Sequence, residues 1–251
     1  MEEQLFDEMF RHAARHWWFR GRWRIVSSLL DRYHPRTPGR VLDLGCGVGN
    51  NFEALVRYGE VWGGDTSPKA LEYCRRHFQG RLDAVLLPDR VPYPDEHFDL
   101  VVMLDVLEHI PDDAAAVRRV FRLLKPGGTL ALTVPALPWL WSQHDVEHGH
   151  QRRYYKRGLR RLLRAAGFEP VKLSYINSFL LLPMGLARVL LPSGVSSGRH
   201  LEPGTRPRAH LLEAIFASER HFLRALSFPL GGSLAAICRR PATTPSAEPR
   251  P

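Results

Sequence analysis

The stretch that decides the fold is Val41-Leu42-Asp43-Leu44-Gly45-Cys46-Gly47-Val48-Gly49-Asn50-Asn51. A short apolar run enters three glycines at alternate positions, and a helical pattern begins beyond them. Apolar runs of this length suit strands buried on both faces. Alternate glycines let the main chain turn sharply and approach a ligand with no side chain between. The dinucleotide fingerprint is G-x-G-x-x-G. Here the spacing is G-x-G-x-G, Asn50 stands where the last glycine would be, and Asp43 precedes the first by two. An anion at this turn would sit beside a carboxylate, whereas a positively charged, amino-bearing ligand gains from one. Both departures disfavour a pyrophosphate, and with it a nicotinamide-dependent oxidoreductase, the first alternative reading.

Outward from this turn, apolar runs alternate with helical patterns. VWGG (61–64) is followed by a helix from Ser67, then LDAVL (82–86), FDLVVML (98–104), a helix over 112–124, and TLALTV (129–134) after Pro126-Gly127-Gly128. With 41–44, these five strands predict an α/β fold with a parallel, doubly wound sheet. Beyond Pro135 come a loop containing HDVEHGH, a basic helix near 155–166, a sixth strand in VKLSYI, an amphipathic helix near 209–226 and a last strand in SLAAIC (233–238). On the N-terminal side, Leu5, Phe6, Met9, Phe10, Ala13, Ala14, Trp17 and Trp18 recur at helical steps. Gly21 is read as a break, with a second short helix through IVSSLL ending at the breakers 34–39. The organisation expected is an N-terminal helical lid over 1–39, a main domain over 40–240 with a helical insertion at about 178–228, and a disordered tail over 241–251. In the lid, Trp17 and Trp18 either line the site or pack on the sheet.

The 251 residues, 44% of them hydrophobic, suit one large domain and exclude global disorder. Cys46, Cys74 and Cys238 have no metal-ribbon or disulfide-framework spacing, which fits a reducing, cytoplasmic setting. MEEQLFDEMF has no basic segment leading into an apolar run, so no leader is expected. The run over 179–191, which holds Met184, Leu186, Arg188, Val189 and Leu190, is shorter than the roughly 20 residues that span a bilayer. It is offered either to the inner membrane surface as a peripheral contact or to the wall of an apolar pocket. Residues 141–251 carry 17 basic and 7 acidic groups, a charge of +10. Nucleic-acid binding is therefore the second alternative reading.

The chemistry-bearing residues cluster at strand ends. Asp65, at the tip of the second strand, can accept two hydrogen bonds from ribose hydroxyls, so the ligand is expected to contain a nucleoside. Thr66 and Ser67 either cap the next helix, with Pro68 at its first position, or touch the ligand. Asp105 closes the fourth strand and faces the same crevice, with Glu108 and His109 just after it. His109 is a candidate base toward the acceptor, or a histidine satisfied by backbone. In 144–155, His144, Asp145, Glu147, His148 and His150 would need a helix to gather a metal; Gly149 and the loop context argue against one, and no metal is assigned. His144 as a base, or Arg152 and Arg153 pairing with an anionic substrate, is the functional reading of this loop.

VLDLGCGVGN, GGDTSPKAL, VPYPDEHFDLVVMLDVLEHI and LLKPGGTLALTVP, in that order, resemble the successive motifs of class I S-adenosylmethionine-dependent methyltransferases. The small-molecule branch that includes the ubiquinone and menaquinone enzymes is the most similar. The resemblance implies a Rossmann-like seven-stranded sheet of order 3-2-1-4-5-7-6 with the last strand antiparallel, and S-adenosyl-L-methionine as cofactor. It implies that Asp43 with the glycine loop, Gly45, Cys46, Gly47 and Gly49, holds the methionine part and that Asp65 holds the ribose; Thr66 and, from its place at a strand end, Asp105 are counted with them as cofactor-binding candidates. For adenine it leaves Asp83 and Asp89, neither at the usual spacing, and Asp89 is taken. The implied activity is methyl transfer to a small-molecule or lipid-linked acceptor, at oxygen, with His109 and His144 as catalytic candidates. Gly149-His150 with Arg152-Arg153-Tyr154 is similar to a run in methyltransferases of bacterial polysaccharide and lipid pathways.

Overall fold

The computed structural model describes residues 16–181 and 206–242. Seven strands form one sheet: β1 (Gly39–Leu44), β2 (Gly59–Asp65), β3 (Arg81–Ala84), β4 (Phe98–Leu104), β5 (Leu124–Pro135), β6 (Glu169–Ile176) and β7 (Ser233–Arg239). Their spatial order is β3-β2-β1-β4-β5-β7-β6, as the resemblance implies. β1 to β5 pair in parallel, and β7 runs antiparallel to both β5 and β6. The central strands are apolar along their length because helices cover both faces. In β1 every residue from Val41 to Leu44 is buried, and in β4 every residue from Leu100 to Leu104.

On one face lie α1 (Trp17–Tyr33), α2 (Phe52–Leu55), α3 (Pro68–His77) and α7 (Arg206–Leu223). On the other lie α4 (Asp113–Leu123) and α6 (Lys156–Ala165), and a short α5 (Gln143–Glu147) follows β5. Local chemistry sets the helix starts. Ser67 caps α3 by accepting the Ala70 N–H at 3.3 Å, with Pro68 in the first turn. Asp112 caps α4 by accepting the Ala115 N–H at 2.8 Å, and Ala116, Val117, Val120 and Leu123 present one buried stripe. In α1 the fully buried Ile25, Leu29 and Leu30 each contribute roughly 1.5–3 kcal/mol by leaving water.

The N-terminal expectation needs correcting. Gly21 does not break the chain: α1 runs unbroken from Trp17 to Tyr33. A Cβ at Gly21 would lie 2.5 Å from Cδ1 of Phe216, so the glycine lets α7 approach α1. The ring of Phe216 stacks on Trp18 at 4.9 Å and meets Trp17 edge-on at 6.1 Å. Both tryptophans therefore pack against α7. The helix expected after the glycine turn is only one turn, extended by a 3-10 turn over Val56–Tyr58. HDVEHGH is not wholly loop: Gln143–Glu147 is helical, with a reciprocal capping box between Ser142 and Asp145. The helical pattern over 5–15, the segment from 182 to 205 and the tail from 243 lie outside the described residues.

Candidate functional site

The carboxyl ends of β1, β2 and β4 open into one crevice, the place where open parallel sheets bind ligands. Gly45, Gly47 and Gly49 all have positive φ, at +71°, +53° and +81°. A Cβ at Gly47 would meet nothing within 4 Å, so bare main chain borders open space there. The loop is pinned from β2. The N–H groups of Gly45 and Cys46 donate to the Gly64 carbonyl at 2.7 and 3.2 Å, and the Gly47 N–H donates to Asp65 Oδ2 at 2.8 Å. Asp65 Oδ1 accepts the Ser67 N–H at 2.8 Å, which fixes the carboxylate while each oxygen keeps a lone pair for a ligand.

Asp43 lies deeper, opposite Gly63 on one side and Val102 on the other. The Asn51 side-chain amide donates to it at 3.2 Å. Burial pushes its carboxyl up to about 7; Asn51 and Arg22 pull the other way, and Asp65 adds to the push. A cation beside it would offset the cost of burying its charge.

Asp105 follows β4 in a left-handed conformation, φ +55°, and takes a 2.8 Å hydrogen bond from Thr133 Oγ1. Its other oxygen is ion-paired with Arg22, a buried arginine of α1. Beyond it, Leu107–His109 form a 3-10 turn. The side chain of Glu108 is fully buried, and neither carboxylate oxygen has a hydrogen-bond partner. Burial, and then the nearby Asp105, raise its carboxyl well above the usual range.

Over this turn sits the 144–153 loop, whose centre is Asp145. This fully buried carboxylate accepts from Arg153 Nε at 2.7 Å, Arg153 Nη2 at 2.9 Å, the Ser142 N–H at 2.9 Å and His150 Nδ1 at 2.9 Å. Those donors hold it down at about 2 against the cost of its burial. The Gln151 N–H donates to the Glu108 carbonyl at 2.7 Å, tying loop to turn. Four imidazoles gather as a result. The rings of His109 and His150 are 4.9 Å apart, His144 and His148 3.9 Å, and His144 and His150 6.5 Å. Burial, and then a neighbouring imidazole, lower His109 and His144 below the usual histidine range, so both are neutral near pH 7.

The remaining expected residues fall as follows. The Cys46 thiol is buried beneath the loop, next to Cys74, whose Sγ donates to the Gly47 carbonyl at 3.2 Å. Thr66 is exposed, and Ser67 alone makes the cap. Asp83 is in β3 opposite Gly64, paired with Arg81 at 3.0 Å. Asp89 lies at the tip of a Leu86–Arg90 hairpin and lines a surface cavity with Arg118, Arg122 and Ala166, with no residue of the glycine loop. Arg152 and Arg153, read as free for an anionic substrate, are bound internally: Arg152 pairs with Asp113 at 3.1 Å and Arg153 with Asp145. Sequence reasoning missed Arg22, Asn51, Thr133 and the Asp145–His150 pair. The signal for Arg22 was a charge on the apolar face of α1, between Trp18 and Ile25.

Comparison with known proteins agrees with this geometry. Residues 10–173 match a family model described as a methyltransferase domain. The chain is 34% identical over 137 residues to a ubiquinone biosynthesis O-methyltransferase of Proteus mirabilis, covering 48% of this chain and 56% of that protein. It is 41% identical over 122 residues to a trans-aconitate 2-methyltransferase of Methylobacterium nodulans, 45% of each. The matches thus span about half the length of these curated relatives. A solved S-adenosylmethionine-dependent methyltransferase from Archaeoglobus fulgidus shares the fold, with a TM-score of 0.58 at 18% identity over 94% of this chain and 98% of that one. The family model takes in the glycine turn, Asp65, Asp105 and all four clustered histidines, and the chain belongs to the methyltransferase domain family.

Proposed function

We propose that the chain transfers a methyl group from S-adenosyl-L-methionine to a small-molecule or lipid-linked acceptor, at an oxygen atom. The observation that carries the reading is the bare main chain at Gly47, flanked by Asp65 and by the buried Asp43. The donor set suits the cofactor: carboxylates match its ammonium and sulfonium charges and its ribose hydroxyls, and would repel a pyrophosphate. When bound, the cofactor supplies a methyl group already activated by positive sulfur.

The chain's own residues then have limited tasks. Asp65 accepts from the ribose and Asp43 faces the cationic end. Arg22 and Thr133 hold Asp105 in place on the crevice wall. Transfer to a hydroxyl forms a C–O bond, breaks the S–C bond and releases the hydroxyl proton. That proton passes to the histidine cluster, where His109 and His144 are neutral and able to take it. Alignment within about 3–3.5 Å does most of the work in such a displacement. The relative named as an O-methyltransferase supports oxygen as the receiving atom. Among the described residues no helix is long and apolar enough to cross a membrane. Peripheral contact through 179–191 is part of the proposal for a lipid-linked acceptor.

Calorimetry with S-adenosylhomocysteine is the first test. Saturable binding is expected, lost or weakened at least tenfold in Asp65→Ala, with no heat from NADH. Absence of heat from both S-adenosylmethionine and S-adenosylhomocysteine, with the chain folded by circular dichroism, would overturn the reading. Labelled donor offered to panels of phenolic, carboxylate and polyprenyl-linked hydroxyl acceptors then identifies the substrate class.

A further inference from the structure

Glu108 poses a problem that methyl transfer does not solve. Its carboxyl group is fully buried, and neither oxygen has a hydrogen-bond partner. Such a group is costly to leave unmatched. Two imidazoles converge on it: one ligand atom each from Glu108, His109 and His150 lie within 4.8 Å of one another.

The surroundings are built for coordination. His150 turns Nδ1 to Asp145 at 2.9 Å, which leaves Nε2, on the other side of the ring, as its ligand atom. A histidine oriented by a carboxylate behind it is the recurrent arrangement around bound metal ions. Here that carboxylate is itself locked by Arg153 and the Ser142 N–H. The His109 ring meets the His150 ring edge-on at 4.9 Å, which brings the two imidazoles to the same side of the turn. His144 and His148 do not form a competing site of the same quality: His148 spends Nδ1 on the His144 carbonyl at 2.8 Å, and Asp145 beside them is fully used.

We propose that Glu108, His109 and His150 bind one divalent first-row transition ion, zinc or a metal of similar preference, with Asp145 and Arg153 as positioning residues. Two imidazoles and one carboxylate match that class, whereas magnesium and calcium call for oxygen ligands. Three protein ligands leave a position open at the crevice. An acceptor hydroxyl taking it loses its proton more readily, and with His109 engaged as a ligand, His144 is left to receive that proton.

The test needs neither cofactor nor acceptor, so it stands apart from the proposed methyl transfer. The untagged full chain is freed of metal with a chelator, dialysed, and titrated with zinc by calorimetry and with cobalt(II) by visible absorption. One ion per chain is expected, with cobalt bands of low coordination number. His150→Ala should weaken binding at least a hundredfold, and Asp145→Asn about tenfold to a hundredfold. His148→Ala should leave it unchanged. Glu108→Gln should weaken binding similarly, and circular dichroism checks its folding. His109, the exposed ligand, keeps the test decisive if that variant fails to fold: His109→Ala should weaken binding at least tenfold. No saturable binding would overturn the proposal, as would stoichiometric binding that survives His150→Ala and disappears in a His144→Ala/His148→Ala variant.

Discussion

Alanine at Gly21 tests the reason α1 is continuous. In an isolated helix the change would stabilise by about 1 kcal/mol, because glycine is the poorer helix former. Here the new methyl group would sit 2.5 Å from Cδ1 and 3.2 Å from Cγ of Phe216. That ring is fully buried and cannot swing aside, since Trp18 stacks on it and Trp17 meets its edge. Overpacking of this kind costs about 1–3 kcal/mol. Set against the propensity gain, Gly21→Ala should lose up to about 2 kcal/mol, a fall in melting temperature of up to about 8 °C. The assay is urea denaturation followed by circular dichroism, in a cycle with Phe216→Leu. In the Phe216→Leu background the alanine should be neutral or stabilising, giving a coupling of about 2 kcal/mol. Alanine that stabilises the otherwise wild-type chain would refute close packing as the role of Gly21.

Three further outcomes follow from the buried charges. His34 hydrogen-bonds Thr129 Oγ1 at 3.0 Å, and burial lowers it to about 4. A histidine depressed in the fold stabilises fully above its unfolded value of 6.5 and loses that contribution as pH falls toward 4. The loss is at most about 3 kcal/mol and should be absent in His34→Gln, compared by urea denaturation at pH 7.5 and 4.5. Asp43, raised to about 7, acts in the opposite sense, favouring the fold as pH falls from 7 to 3.8, so only the comparison with the variant isolates His34. Asp43 also predicts that affinity for S-adenosylmethionine rises with pH up to about 7 and then levels, with proton release seen by calorimetry in two buffers; a flat profile rejects Asp43 as the cation's partner. Arg22→Ala leaves Asp105 unpaired beside Glu108 and should cost about 3 kcal/mol in urea denaturation; a loss below about 1 kcal/mol would show that solvent replaces the pair.

The strand–turn at 41–49 was legible because its causes are local: apolar residues for a doubly covered strand, glycines for positive φ. The order of the outer strands came from the resemblance alone, since nothing in SLAAIC itself says that it enters between two earlier strands. Gly21 was misread because its reason, Phe216, lies far along the chain. Arg152 and Arg153 looked available for the same reason: their partners Asp113 and Asp145 become neighbours only when the loop folds over the 3-10 turn. The short α5 was hidden by Gly149, which ends the turn rather than preventing it. Neither Asp83 nor Asp89 stood at the usual spacing, and the hairpin places Asp89 beside Arg118 and Arg122 of α4.

The position of β7 bears on how the chain matures as it leaves the ribosome. Its two sheet neighbours are made first, and the edges they will share with it stay unfilled until 233–239 has emerged. The nascent protein therefore carries two open β edges from the completion of β6 until β7 follows, the condition under which chains stick to one another. Substitutions in β7 should then show up first as dependence on chaperones and poor yield during expression, before any change in the finished molecule can be measured.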